Sequence, residues 1–208
     1  MKILVLGASG RIGSLVVQQL LKQGHNVHAL VRSSASLPEH PLLTSVEGDV
    51  RKQTDITHAL QGCDAVVSAL SSWGTPTKDI LQTAMQNIVS SPQGSTIRVV
   101  SLTGADARAP GDTPNIVQRS MHFFLGNMAK KVLQDGEKHI AVLAGANNNW
   151  SVLRSPVMNN KGKNGSYRLS NKLPMPWQTI HRHDVATAMV SLLEQNTHIC
   201  QAPVIYRS

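Results

Sequence analysis

Apolar positions fall along this chain in short runs that alternate with helical stripes. The first run, Ile3-Leu4-Val5-Leu6, is apolar throughout, which suits a strand buried on both faces. It leads into Gly7-Ala8-Ser9-Gly10-Arg11-Ile12-Gly13. Ile12, Val16 and Leu20 then recur at helical spacing, with Leu15 and Val17 widening the stripe and Gly24 at a C-cap position. Asn26 to Val31 reads as a second strand, Leu42 to Glu47 as a short third, and a helix is expected around Asp55 to Leu60. Asp64 to Leu70 is the fourth strand. A helix over Thr77 to Val89 follows, with Ile80, Leu81, Ala84, Met85 and Ile88 on its apolar side. Thr96 to Leu102, Trp150 to Arg154 and Pro203 to Tyr206 are the fifth, sixth and closing strands.

The stretch from Ile116 to about Gly145 is helical but irregular, and Gly126 and Gly136 suggest a break into two helices. Its apolar cluster, Met121, Phe123, Phe124, Leu125 and Met128, is expected to pack in the core or between copies of the chain, with a substrate-pocket wall as the alternative. Asp184 to Leu193 is the last helix, turning Val185, Ala188, Met189 and Leu192 inward. The alternation predicts an α/β fold: a doubly wound, mostly parallel sheet with helices on both faces and right-handed crossovers. Its length of 208 residues fits one domain spanning 1–208, with small substrate-side loops at about 104–117 and 158–178. The first, from Gly104 to Asn115, could act as a lid, although most such loops are connections. The second is basic and carries a turn at Asn164-Gly165.

The glycines add chemistry to this frame. A glycine-rich turn between a strand and a helix suits phosphate, because small residues let a pyrophosphate approach the backbone and the helix N-terminus offers unbonded N–H groups. The spacing is G-x-x-G-x-x-G, and the turn from Gly7 through Ala8, Ser9, Gly10, Arg11 and Ile12 to Gly13 is assigned to the cofactor. An NAD site places an acid at the end of the second strand for the ribose 2′-hydroxyl. No acid occurs from Ser14 to Pro38; Arg32, Ser33 and Ser34 stand there instead. A guanidinium beside hydroxyls suits a 2′-phosphate, with Arg11 able to approach the same group, so NADP(H) is the expected cofactor. Asp49 and Val50 could border an adenine, Asp49 accepting from its amino group; equally, Asp49 could cap the following helix. Ala69, Leu70 and Ser71, at the carboxyl end of the fourth strand, should border the cofactor. Ser101 and Thr103, at the end of the fifth, are the candidate catalytic hydroxyls, though either could serve a turn.

Charge and composition narrow the partners. Lys and Arg outnumber Asp and Glu by 20 to 12, a formal charge of +8. The basic residues are scattered and aromatics are 3%, too few for a base-stacking platform, so a small phosphorylated ligand is favoured over nucleic acid. No apolar stretch is long enough to cross a membrane and none precedes the first strand, which gives the expectation of a cytoplasmic protein without a membrane partner. Cys63 and Cys200 alone make no disulfide framework. There is no Walker A pattern, no G-x-S-x-G nucleophile elbow and no paired-cysteine or His-Glu-x-x-His metal motif. His181 and His183 read as surface or capping residues, and no metal site is expected.

Taken together, Gly7, Gly10 and Gly13, Arg32-Ser33, Gly48-Asp49-Val50, Val99-Val100-Ser101 and Ile180-x-Arg182-x-Asp184-Val185-Ala186 resemble the short-chain dehydrogenase/reductase superfamily in its atypical, NmrA-like branch. Trp150 to Arg154, Pro156 and Gly165-Ser166-Tyr167 look most like its biliverdin/flavin reductase group. The resemblance implies a Rossmann-type sheet, NADP(H), a small-molecule substrate and Pro156 as a further cofactor contact; a homo-oligomer stays open. It departs from the superfamily at the Tyr-x-x-x-Lys pair. In the register set by Trp150 and Tyr167 those positions are Val132 and Gly136, and the only tyrosines, Tyr167 and Tyr206, lie elsewhere. Lys130 and Lys131 have no phenol beside them, and the group's histidine at the lysine position is replaced by Asp135-Gly136-Glu137. The expected function is therefore an NADPH-dependent reductase of a flavin, quinone or similar conjugated molecule. The alternatives are a non-catalytic NADP(H) sensor and, less well supported, a nucleotide-sugar epimerase.

Overall fold

The computed structural model describes residues 1–33, 37–94, 96–162 and 164–208. One sheet holds β1 (Lys2–Leu6), β2 (Asn26–Val31), β3 (Leu43–Glu47), β4 (Ala65–Ser68), β5 (Arg98–Gly104), β6 (Trp150–Ser155), β8 (Tyr167–Ser170) and β10 (Val204–Arg207). Its order is β3-β2-β1-β4-β5-β6-β10-β8. Every pairing is parallel except that of β8 with β10. β7 (Val157–Asn159) and β9 (Thr179–His181) form a separate two-stranded parallel pair.

Two apolar layers sandwich the sheet. Ile3 and Val5 of β1 face one layer with α1 (Gly13–Lys22) and α6 (Arg182–Glu194), through Val16, Leu20, Val185 and Met189. Leu4 and Leu6 face the other, built by α2 (Gln53–Ala59), α3 (Ile80–Val89) and α5 (Lys130–Ala144) through Ile56, Met85, Ile88, Ile140 and Leu143. Alternate side chains of one strand thus enter opposite layers, which is why β1 has to be apolar throughout. The doubly wound architecture expected from the sequence is the one observed.

Several details differ from the sequence reading. The irregular helical region breaks at Ala129, whose φ of −131° and ψ of 36° separate α4 (Ile116–Met128) from α5, and neither glycine makes the break. α4 buries none of its residues, and Phe123, Phe124 and Met128 are exposed rather than packed in the core. It is held by polar contacts: Asn115 and Gln118 form a capping box, and the Gln118 amide donates to the carbonyls of Leu173 and Pro174. α2 starts at Gln53, before the expected Asp55, and the basic loop contains β8.

The 104–115 loop is pinned rather than loose. Arg154 on β6 is 1% exposed. Its guanidinium donates to both carboxylate oxygens of Asp112, at 2.5 and 2.9 Å, and to the carbonyls of Ala107 and Ala202. Asp112 also accepts the Ala109 N–H at 2.8 Å. A bidentate, fully hydrogen-bonded pair of this kind is stable in a buried place, and breaking one side leaves an uncompensated charge. Asp112→Ala is expected to destabilise the protein by about 3–5 kcal/mol in urea unfolding, whereas the paired change Arg154→Met with Asp112→Leu should recover most of that loss.

Candidate functional site at the carboxyl edge of the sheet

The chain leaves β1 toward α1 on one face and leaves β4 toward α3 on the other. Between these neighbouring strands the connections diverge and open a crevice outside the carboxyl ends, the place where open α/β sheets bind ligands. The glycine turn lies in it. Gly7 has φ +74°, and a Cβ there would come within 2.9 Å of the Ala69 carbonyl oxygen. Gly7 therefore meets two demands at once, a left-handed backbone and close approach to the end of β4. A Cβ at Gly13 would collide with the Gly7 carbonyl, and one at Gly10 would lie 3.1 Å from the same oxygen.

This packing folds the turn back on α1, with the Gly10 N–H donating to the Gly7 carbonyl at 2.9 Å. No side chain caps α1. The Ser14 N–H of its first turn donates to the Gly10 carbonyl at 2.9 Å, and the positive end of the helix dipole still faces the turn, where it favours an anion. The cradle fits a dinucleotide pyrophosphate: side chains at the glycine positions would fill it, and it ends on an uncapped helix. Ser9, Gly10 and Arg11 are exposed, while Ala8, Ile12 and Gly13 are buried beneath them. Arg32 and Ser33 are exposed at the end of β2, and Ser34 lies outside the described residues. Ala69 and Leu70 are half-buried and Ser71 exposed, the Ser71 hydroxyl accepting the Trp73 N–H at 3.2 Å.

Asp49 is engaged by a neighbour. The Arg51 side chain clamps its carboxylate, which the bond holds down at about 2. It does not cap α2, whose N-cap is Lys52; the Asp49 N–H instead donates to Asp55 at 2.9 Å. Val50 is buried, with its carbonyl accepting from Asn87 at 2.8 Å.

At the end of β5 the two candidate hydroxyls are placed differently. The strand runs on to Gly104, so Ser101 lies inside it, fully buried, with its Oγ 2.7 Å from His139 Nε2. Burial alone lowers the His139 ring from 6.5 to about 3, so it is neutral at working pH. His139 Nδ1 is buried without a partner among the described residues. A bare ring nitrogen is cheaper to bury than an orphaned N–H, so Nε2 carries the proton and donates to Ser101.

Thr103 is 7% exposed at the carboxyl end, against α5. A Cβ at Gly136 would come within 2.6 Å of Thr103 Oγ1 and 2.9 Å of the Ala107 Cβ. Asp135, beside Gly136, accepts the N–H groups of Leu81 and Gln82 at 3.1 and 2.8 Å and so caps α3 from another helix. Desolvation raises its carboxyl nonetheless. Sequence reasoning missed both Asp135 and His139. The signal for His139 was its place beside Ile140 and one turn before Leu143, on the buried face of α5.

Beyond β5 and β6 a narrow cleft opens between α4 and the 173–176 segment. Asp106, Arg108, Met121, His122, Pro156 and Met175 are among its lining residues. Pro156 is half-buried there, directly after β6. Among the described residues no cluster of three or more metal-ligating side chains occurs, and no helix is long and apolar enough to cross a membrane.

Comparison with known proteins bears on this crevice. The sequence profile of an NAD(P)H-binding family matches residues 7–196. A curated relative, a 3-beta-hydroxysteroid dehydrogenase of Mycolicibacterium neoaurum, is 40% identical over 65 residues, covering 31% of this chain and 18% of that protein. The chain therefore spans only a small part of that relative's length. Among solved structures, a protein of Streptococcus pneumoniae TIGR4 described as a candidate NADH-flavin reductase superposes with a TM-score of 0.75 at 23% identity, covering 100% of both chains. ChuY, an anaerobilin reductase of Escherichia coli O157:H7, superposes at 0.79 with 14% identity, covering 100% of this chain and 97% of that one. At these identities the likeness is one of fold.

The buried Ser101–His139 pair predicts a stability effect. Ser101→Ala leaves a buried N–H unpaired and should cost about 1–3 kcal/mol in chemical denaturation. The lowered His139 value also fixes a sign: between about 3 and 6.5 the unfolded chain binds a proton that the folded chain does not. Stability from this group is complete above 6.5 and falls as pH drops below it. His139→Gln should flatten the stability–pH curve between about pH 5 and 7 relative to the wild type.

Proposed function

Because the chain belongs to the NAD(P)H-binding family, we propose that it is an NADPH-dependent reductase of a flavin, quinone or other conjugated small molecule, working as one domain. The observation that carries this reading is the crevice itself: a pyrophosphate cradle at the β1–β4 divergence, on the same carboxyl edge of the sheet as a cleft beside β5 and β6. When bound, NADPH supplies a hydride. The chain's own residues bind and orient it. The Gly7–Gly13 turn and the first turn of α1 take the pyrophosphate, and Arg32, with Ser33 and Arg11, takes the 2′-phosphate. Asp49 and Val50 flank the adenine side, while Ala69, Leu70, Ser71, Thr103 and Pro156 border the path to the nicotinamide.

The Ser101 hydroxyl is already spent on His139 inside β5, which leaves Thr103 as the candidate hydroxyl at the carboxyl end of the strand. The lysine position of the superfamily's Tyr-x-x-x-Lys pair falls on Gly136, where Thr103 and Ala107 leave no room for a side chain. That favours acceptors that take hydride into a conjugated system over alcohols and ketones, which need a strong proton donor. Two solved proteins of the same fold are described as reductases, one of flavin and one of anaerobilin.

The reading is tested by cofactor titration and turnover together. NADPH should bind more tightly than NADH by roughly ten- to a hundred-fold, since a charge-assisted contact to the 2′-phosphate is worth about 1.5–3 kcal/mol. Arg32→Asp should abolish the difference, and Gly10→Val should abolish binding of both. NADPH oxidation is then followed against flavins, quinones and linear tetrapyrroles. Equal affinities in the wild type contradict the assignment of Arg32. Tight NADPH binding with no acceptor reduced favours a non-catalytic sensor.

A further inference from the structure

We propose that His122 is the proton donor of this reductase, delivering from Nε2 the proton that accompanies hydride transfer; the inference rests on the reductase reading above. The superfamily's donor position offers none here, since the residues in that register are Val132 and Gly136. His122 instead projects from α4 into the cleft at the carboxyl ends of β5 and β6. Asp106, Arg108 and His122 are the titratable residues that line that cleft. Of these, only an imidazole ordinarily changes charge near neutral pH.

The geometry fixes which nitrogen does so. His122 Nδ1 lies 3.1 Å from the Asp106 carbonyl oxygen. A carbonyl can only accept, so Nδ1 carries the N–H and Nε2 is the nitrogen that gains and loses a proton. Glu137 Oε1 lies 3.5 Å from Nε2, too long for a strong hydrogen bond that would hold its proton. The Arg108 N–H donates to that same Oε1 at 3.3 Å and holds Glu137 in place. The Asp106 carboxyl faces His122 as well. Burial raises that carboxyl above the ordinary carboxylate range, the charge of the imidazole opposing in part. The His122 side chain is 28% exposed, so water can reprotonate it after each turnover.

The step balances simply. An oxidised acceptor accepts hydride, two electrons with one proton, from the reduced nicotinamide. The Nε2–H bond of the imidazolium breaks and a bond forms from that proton to the acceptor atom left with the electron pair. The imidazole is left neutral, and solvent returns the proton. Overall, acceptor, NADPH and one solvent proton become reduced acceptor and NADP⁺.

The test joins a spectroscopic readout to kinetics. Nitrogen-15 spectra of the full chain without acceptor, at a pH where the ring is observed to be neutral, should place the His122 proton on Nδ1; a neutral ring protonated on Nε2 instead overturns the proposal. His122→Asn should lower kcat by about tenfold or more while leaving NADPH affinity unchanged, because water remains a poorer donor than a positioned acid. The wild-type kcat should fall as pH rises through the His122 titration followed by NMR, since an acid must be protonated to act, and His122→Asn should lose that limb. If His122→Asn keeps the wild-type rate and limb, or if Asp106→Asn removes the limb instead, the assignment of His122 is wrong while the reductase reading stands. If the wild type reduces no acceptor, the reductase reading fails and takes this inference with it.

Discussion

Where α1 meets β1, backbone lies on backbone. Gly13 has no space for a Cβ above the Gly7 carbonyl, and Gly7 has almost none beside the carbonyl of Ala69. These contacts bring three elements together at one point: the end of β1, the first turn of α1 and the end of β4. The crevice depends on them, because any side chain at these positions would push α1 off the turn or separate the two strands. The same absence of side chains that permits the packing leaves the surface of the turn open to a pyrophosphate. Structural and functional demands fall on the same residues here, so a loss of binding at Gly13 or Gly7 would have to be separated from a loss of folding.

The other half of the carboxyl edge is held by polar groups. Arg154 reaches from β6 under the 104–115 loop to Asp112, and Asp135 reaches from α5 to the start of α3. His139 reaches from α5 into β5 at Ser101. Each is a buried ionisable or polar side chain that joins elements distant in sequence, and each position would leave an unpaired group if its partner were lost. Together they set α5 close against the end of β5, with Gly136 over Thr103. That closeness leaves no room for a side chain at Gly136 on this side of α5. α4 is the contrasting element, an amphipathic helix laid on the surface with its large apolar residues outward.

Much of the frame was legible because a strand buried on both faces has a simple signature. Ile3 to Leu6, Ala65 to Ser68 and Val99-Val100 are apolar or small throughout, and the helical stripes of α1 and α3 are regular. The glycine turn was legible because its demands are local. The break at Ala129 was not, because α4 and α5 part through tertiary placement and the glycines that suggested a break sit within helices. The core reading of Phe123, Phe124 and Met128 followed from hydrophobicity alone, which cannot say whether an apolar face has something to cover it. Ser101 was read as available because strand ends are uncertain by a residue or two, and β5 extends past it. Asp112, Asp135 and His139 act on residues far along the chain, so nothing in their local sequence announces their partners.

The measurement that tests the central claim most directly is single-turnover transfer of deuterium from NADPH labelled stereospecifically at the nicotinamide C4. The acceptors are flavin, quinone and linear tetrapyrrole, with product deuterium read by mass spectrometry or, where it exchanges with solvent, by a primary isotope effect on the transient. The account predicts transfer from one face of the cofactor only, with an isotope effect on the observed rate. Cofactor bound at the glycine turn with no label lost to any acceptor, or label lost equally from both faces, would contradict it.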